Sequence, residues 1–119
     1  MMMTRRPFIN KIGWLFPEYR VIAYSKHNTR FLYKTVSSKK EAVALCQQLR
    51  NKMAETGYIK PVCLRPDREK DILYLAGRVS HCLSDVSLYH EQAEFDIRLP
   101  YAKDEYEIAQ LIHEFVDLV

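Results

Sequence analysis

His81, Cys82 and Asp85 put an imidazole, a thiol and a carboxylate within five residues, the groups that a cysteine nucleophile, its base and an orienting acid require. Adjacent side chains diverge in regular structure, so His81 and Cys82 do not share a face. Cys82 falls on an apolar stripe instead, where a thiol acts as a small hydrophobe. His90-Glu91 and His113-Glu114 are adjacent pairs rather than metal ligands at helical spacing, and no His-x-x-x-His occurs. Gly13, Gly57 and Gly77 are the only glycines, too dispersed to build a phosphate loop. Asp104 and Glu105 read as helix-start residues. These patterns point away from catalysis, and neither a cofactor nor a metal is expected. Cys46, Cys63 and Cys82 are odd in number and widely spaced, which predicts reduced thiols rather than a disulfide framework or a zinc site.

A second group of residues suits binding. Arg20, Tyr24, Arg30, Phe31, Tyr33 and Lys34 interleave cations with aromatics, and Lys39 and Lys40 follow closely. Cations of this kind contact phosphates while aromatic rings stack on bases. The competing structural reading makes the aromatics one buried face of a sheet and the lysines a solvated helix face.

These residues sit on the most legible stretch of the chain. Tyr19–Ser25 and Arg30–Val36 are rich in β-branched and aromatic residues around a short polar turn. A two-residue loop at His27 and Asn28 predicts the pairs Ser25 with Arg30, Tyr24 with Phe31, Ala23 with Leu32 and Ile22 with Tyr33. Arg20, Ile22, Tyr24, Phe31 and Tyr33 then form one face, and Tyr19, Val21, Ala23, Leu32 and Val36 the other. Ser38-Lys39-Lys40-Glu41 has capping-box spacing and opens a helix with Ala42, Leu45, Cys46, Leu49 and Met53 on one face. Gly57 closes it as a left-handed cap.

On either side the pattern is less definite. Phe8–Phe16 reads as a brief helix or an irregular apolar segment ending at Pro17, with Trp14 as a core anchor. Tyr58–Leu64 predicts a third strand, at an edge or a bulge because of Pro61, followed by a turn at Arg65-Pro66-Asp67. Residues 67–84 support either a helix capped by Asp67 or a strand from Ile72 to Val79. Val86–His90 and Ala93–Leu99 alternate as strands, with Ala93, Phe95, Ile97 and Leu99 inward and Pro100 as the stop. Ala102–Leu118 predicts a final helix with the stripe Ile108, Leu111, Ile112, Phe115 and Val119.

The expected fold is a single small α+β domain over 1–119, ordered β-β-α-β-(α or β)-β-β-α, with an antiparallel sheet of about four to five strands packed on two main helices. Within it lie an apolar amino-terminal segment (1–18), a basic ββαβ unit (19–64) and an acidic half (67–119). With 119 residues, 48% of them hydrophobic, the chain is long enough for one modest core. No 18-residue apolar run occurs, and Met1–Pro7 lacks the apolar core of a signal peptide, so a soluble cytoplasmic protein with no membrane partner is expected. The oligomeric state is left open, a dimer included.

The net charge of +3 conceals a polarity along the chain. Residues 1–70 hold 15 Lys or Arg against 5 Asp or Glu, and residues 71–119 hold 3 against 10. Such asymmetry suits a polyanion-facing surface, an acidic protein-facing surface, or both, unless the halves interleave and cancel.

Trp14, Tyr19-Arg-Val-Ile-Ala-Tyr24, Arg30-Phe-Leu-Tyr-Lys-Thr-Val36 and Ser38-Lys-Lys-Glu-Ala42 together resemble the small arm-type DNA-binding module of phage integrases. In that family, strands leading into one helix enter the major groove. The resemblance covers residues 14–53, and it implies contacts from Arg20, Tyr24, Arg30, Tyr33 and Lys34.

Two functions are therefore expected to compete. The first is a non-enzymatic nucleic-acid-binding or regulatory protein using Arg20, Tyr24, Arg30, Tyr33, Lys34, Lys39 and Lys40. The second is a phage- or plasmid-type inhibitor or adaptor that docks on a host protein complex through Asp96, Asp104, Glu105, Glu107, Glu114 and Asp117.

Overall fold

The computed structural model describes residues 6–65 and 71–119. Asp67 and most of the turn expected at Arg65-Pro66-Asp67 lie outside them. The fold is α+β, and the chain divides into two compact units, one running to Ile59 and one beginning at Lys60.

Three antiparallel strands and one helix make the first unit: β1 (Phe8–Ile12), β2 (Glu18–Tyr24), β3 (Arg30–Val36) and α1 (Lys39–Thr56), with β2 in the middle of the sheet. The segment Phe8–Phe16, expected as a brief helix or irregular chain, is instead a strand for its first five residues, paired from Phe8↔Ile22 to Ile12↔Glu18. Its alternation is short and partly polar, and pairing with β2 decides the matter. Helix α1 starts as its capping residues dictate, with Ser38 Oγ accepting from the Glu41 amide at 3.4 Å. It stops at Gly57, whose φ of 85° is left-handed. Ala42, Cys46, Leu49 and Met53 are buried, and α1 packs on β2 with further contacts to β1 and β3. The Cys46 thiol donates to the Pro7 carbonyl at 3.2 Å, tying the start of β1 to the helix.

The β2–β3 turn is longer than expected. The Ser25 amide donates to the Thr29 carbonyl at 2.9 Å, the Asn28 amide donates to the Ser25 carbonyl at 2.8 Å, and Ser25 Oγ accepts from the Thr29 amide at 3.1 Å. Asn28 takes a positive φ of 61°. Tyr24 therefore faces Arg30, Ala23 faces Phe31 and Ile22 faces Leu32. A shift of one residue exchanges faces: Phe31 is buried with Val21 and Ala23, whereas Leu32 is exposed, the reverse of the expected assignment. An irregularity between Val21 and Ile22 then admits Tyr33 as an extra residue, and pairing resumes at Val21↔Lys34.

The second unit is mainly helical. Strand β4 is only Val62–Cys63 and pairs in parallel with β5 (Asp117–Leu118), so most of the strand expected over Tyr58–Leu64 is irregular chain. Helix α2 (Ile72–Asp85) resolves the ambiguous stretch as helix. Its cap is Asp71, which accepts from the Tyr74 amide, and Gly77 leaves open space where a Cβ would be.

The two strands expected over Val86–His90 and Ala93–Leu99 are instead a turn and helix α3 (Tyr89–Arg98), and Leu99–Tyr101, including Pro100, forms a 3₁₀ turn. Leu88, Glu91 and Phe95 are buried at helical spacing, and the good helix formers Glu, Gln, Ala and Arg fill the intervening positions. The apparent alternation was coincidental, and Ile97, expected inward, is 67% exposed. Helix α4 (Glu105–Phe115) is capped by Asp104 and buries Ile108, Leu111, Ile112 and Phe115. It ends short of the expected Leu118 because the chain turns into β5, leaving Val119 exposed. Helices α2, α3 and α4 pack against one another, with Phe95 edge-on to Phe115 at 5.6 Å.

Two substitutions separate helix from strand at α3. Phe95→Ala should destabilise the protein by about 3–5 kcal/mol through the cavity it leaves. Ile97→Gln should change stability by no more than about 0.5 kcal/mol, as an exposed site does. Urea denaturation measures both, and a large cost at Ile97 would contradict the helical assignment.

Candidate nucleic-acid interface

The turn between β1 and β2 presents the largest apolar side chains of the first unit to solvent. Trp14 is 84% exposed, Leu15 68% and Phe16 90%, so Trp14 is not the core anchor its size suggested. The reason lies in the flanking residues. Gly13 has a φ of 82°, and a Cβ there would meet the Phe16 carbonyl oxygen at 3.3 Å. With Pro17 on the far side, these residues reverse the chain within one short loop closed by Ile12↔Glu18, and three bulky side chains are left at its tip. Glycine and proline bracketing an apolar triplet between two alternating runs was the sequence signal for a hairpin.

Strand order gathers other residues at this end of the sheet. β3 finishes here, with Tyr19 facing Val36, and α1 begins just afterwards at Lys39. Lys11, Lys34, Lys39 and Lys40 are all exposed. Arg20 is partly neutralised by Glu18 at 3.7 Å. The apolar tip therefore stands at the same end of the sheet as the expected cations Lys34, Lys39 and Lys40, together with Lys11, which sequence reasoning had passed over.

The remaining residues of the expected binding set divide between faces and ends. Arg20, Tyr24 and Arg30 share the sheet face that carries Ile22 and Leu32, since cross-strand partners point the same way. Arg30 lies at the opposite end from the tip, facing Tyr24. The Tyr24 ring packs 6.3 Å from Phe8 and is half-buried. Tyr33 occupies the bulge, with its ring 6.4 Å from Phe31. The aromatics of β2 and β3 are thus more structural than the sequence implied, and the exposed aromatics of the first unit belong to the β1–β2 loop. Arg6 and Arg50 line a groove in the same unit with Pro7, Gln47, Met53 and Ala54.

The charge polarity follows the two units. Residues 1–59 carry 11 Lys or Arg against 3 Asp or Glu, and residues 60–119 carry 7 against 12, giving net charges of +8 and −5.

The acidic residues of the second unit are largely engaged within it. Asp104 caps α4 by accepting from the Glu107 amide at 2.9 Å, and Glu107 accepts from the Lys103 amide. Glu114 pairs with Arg98, which also meets Glu94 at 3.3 Å, and hydrogen bonding to Glu114 pushes the Arg98 guanidinium above its ordinary pKa. Asp117 meets Lys60 Nζ at 3.3 Å. Asp96 and Glu105 are exposed.

The local constellation of His81, Cys82 and Asp85 does not converge. His81 Nε2 pairs with Asp85 at 3.5 Å one helical turn away, while Cys82 turns towards Cys63. Among the described residues, no group of three or more His, Cys, Asp or Glu side chains could hold a metal ion, and no helix is long and apolar enough to cross a membrane. Compared with protein-family models, curated proteins and solved structures, the chain matches none of them.

What the amino-terminal arrangement can do follows from its parts. Exposed aromatic and aliphatic side chains at a hairpin tip can stack on bases or wedge between them, while nearby lysines neutralise phosphates. Gly13→Ala should cost about 1–2 kcal/mol, because its backbone is left-handed. Trp14→Ala should cost no more than about 0.5 kcal/mol, because the side chain touches little. Thermal denaturation of the two variants checks the pair, and full iodide quenching of Trp14, the sole tryptophan, checks its exposure directly.

Proposed function

We propose that this protein binds nucleic acid through its amino-terminal unit and acts by binding rather than by catalysis. The observation that carries the reading is the exposed Trp14-Leu15-Phe16 tip at the same end of the sheet as Lys11, Lys34, Lys39 and Lys40. A soluble domain rarely leaves such a patch uncovered without a partner for it. The net charge of +8 on the same unit favours a polyanion as that partner.

In this reading the lysines hold phosphates and the tip contacts bases. Arg20 and Arg30 extend the contact along the open sheet face. Within residues 14–53, the order of strands β2 and β3 leading into helix α1 is in keeping with the arm-type module that this stretch resembles.

Docking of the acidic unit on a host protein, as an inhibitor or adaptor, has less to stand on. Asp104, Glu107, Glu114 and Asp117 already serve helix caps and ion pairs inside that unit.

Fluorescence anisotropy with labelled duplex DNA, single-stranded DNA and RNA, at two salt concentrations, tests the proposal. Binding should weaken steeply with salt. The Lys39→Glu/Lys40→Glu variant should bind at least tenfold more weakly, and Trp14→Ala/Phe16→Ala should lose about 1–3 kcal/mol for each base contact removed. The Trp14 emission should change on binding. Failure to bind all three nucleic acids at low salt, or binding only to vesicles of anionic lipid, would overturn the reading.

A further inference from the structure

We propose that Cys63 and Cys82 form a dithiol site that closes to an intramolecular disulfide on exposure to a peroxide, joining β4 covalently to α2. Nothing in the spacing of the cysteines marks the pair. The fold of the second unit creates it, because α2 packs on β4 and brings the two Sγ atoms to 2.7 Å. Such close approach leaves little movement between the contact and a covalent bond of about 2.05 Å. The third cysteine, Cys46, is buried in the first unit against the Pro7 carbonyl and serves as an internal control.

The two thiols are unequal, and this orders the chemistry. Cys63 is fully buried, whereas Cys82 is half-buried. Burial, reinforced by Cys82 itself, pushes the Cys63 thiol up to about 12, and Cys82 is the thiol that a peroxide can reach from solvent. The Cys82 thiolate attacks one oxygen of the peroxide, forms the sulfenic acid and releases an alcohol, or water from hydrogen peroxide. Cys63 then attacks the Cys82 sulfur. Its proton leaves with the hydroxide as a second water, and the sulfur–sulfur bond forms. The two thiols lose two electrons and two protons in all, and the peroxide takes up both.

The bond would also act on the carboxyl end of the chain. Strand β4 pairs with β5, and the Arg65 amide donates to the Val119 carbonyl at 3.0 Å while the Val119 amide donates to the Cys63 carbonyl at 3.1 Å. Holding Cys63 to α2 therefore holds the strand on which β5 depends.

The test treats the full chain with a few equivalents of hydrogen peroxide, then denatures it in an alkylating agent. The expected result is one reactive thiol per chain instead of three, a mass lower by two hydrogens, and a peptide map joining Cys63 to Cys82, all reversed by dithiothreitol. Under the same exposure Cys82→Ser should keep both remaining thiols. Three reactive thiols after treatment, a bridge involving Cys46, or Cys82 advancing to sulfinic acid with Cys63 still reduced would each overturn the proposal.

Discussion

Burial of Val21 and Ala23 on β2 is the constraint from which the first unit follows. Both are fully buried on the central strand, beneath the helix that carries Ala42, Cys46, Leu49 and Met53 on its inner face. A central strand has no free edge, so its two neighbours must both match its register. β1 does so without interruption, but β3 accommodates a five-residue turn only by absorbing Tyr33 as an extra residue. The bulge reconciles the turn with the pairing at the far end, and it keeps Phe31 under the helix.

That arrangement also explains why the most exposed apolar groups of the first unit lie at a hairpin tip rather than on the aromatic strands. The core takes Phe31, and packing against Phe8 takes much of Tyr24. Trp14, Leu15 and Phe16 stay exposed, because the left-handed turn at Gly13 carries them beyond the last strand pair. Antiparallel order then brings the end of β3 and the start of α1 to that same end of the sheet, and their lysines with them. Cations and apolar groups distant in sequence are assembled by topology, the combination on which the proposed binding of phosphates and bases rests.

The second unit obeys a different logic. Its apolar residues meet on three helices, and its carboxylates mostly cap or pair within it. Such engagement leaves fewer charges for an outside partner, since a carboxylate held by a cap or a guanidinium would have to exchange that contact for another. The same packing sets a buried thiol against a half-buried one, an arrangement in which chemistry depends on access as much as on proximity.

Local rules alone determined α1 from Ser38 to Gly57, the buried stripe of α4 and the strand character of β2 and β3, because capping, left-handed glycine and side-chain periodicity act within a few residues. The charge polarity was equally legible, since it is a property of composition. Register was not, for a turn one residue longer moves Phe31 to the opposite face without changing any propensity. Helix α3 was hidden because Ala93, Phe95, Ile97 and Leu99 alternate like a strand, while the packing that favours the helix, Phe95 against Phe115, is tertiary. The exposure of Trp14 and the meeting of Cys63 with Cys82 belong wholly to the tertiary structure. Both depend on which elements come to lie beside these residues, and no local pattern encodes that.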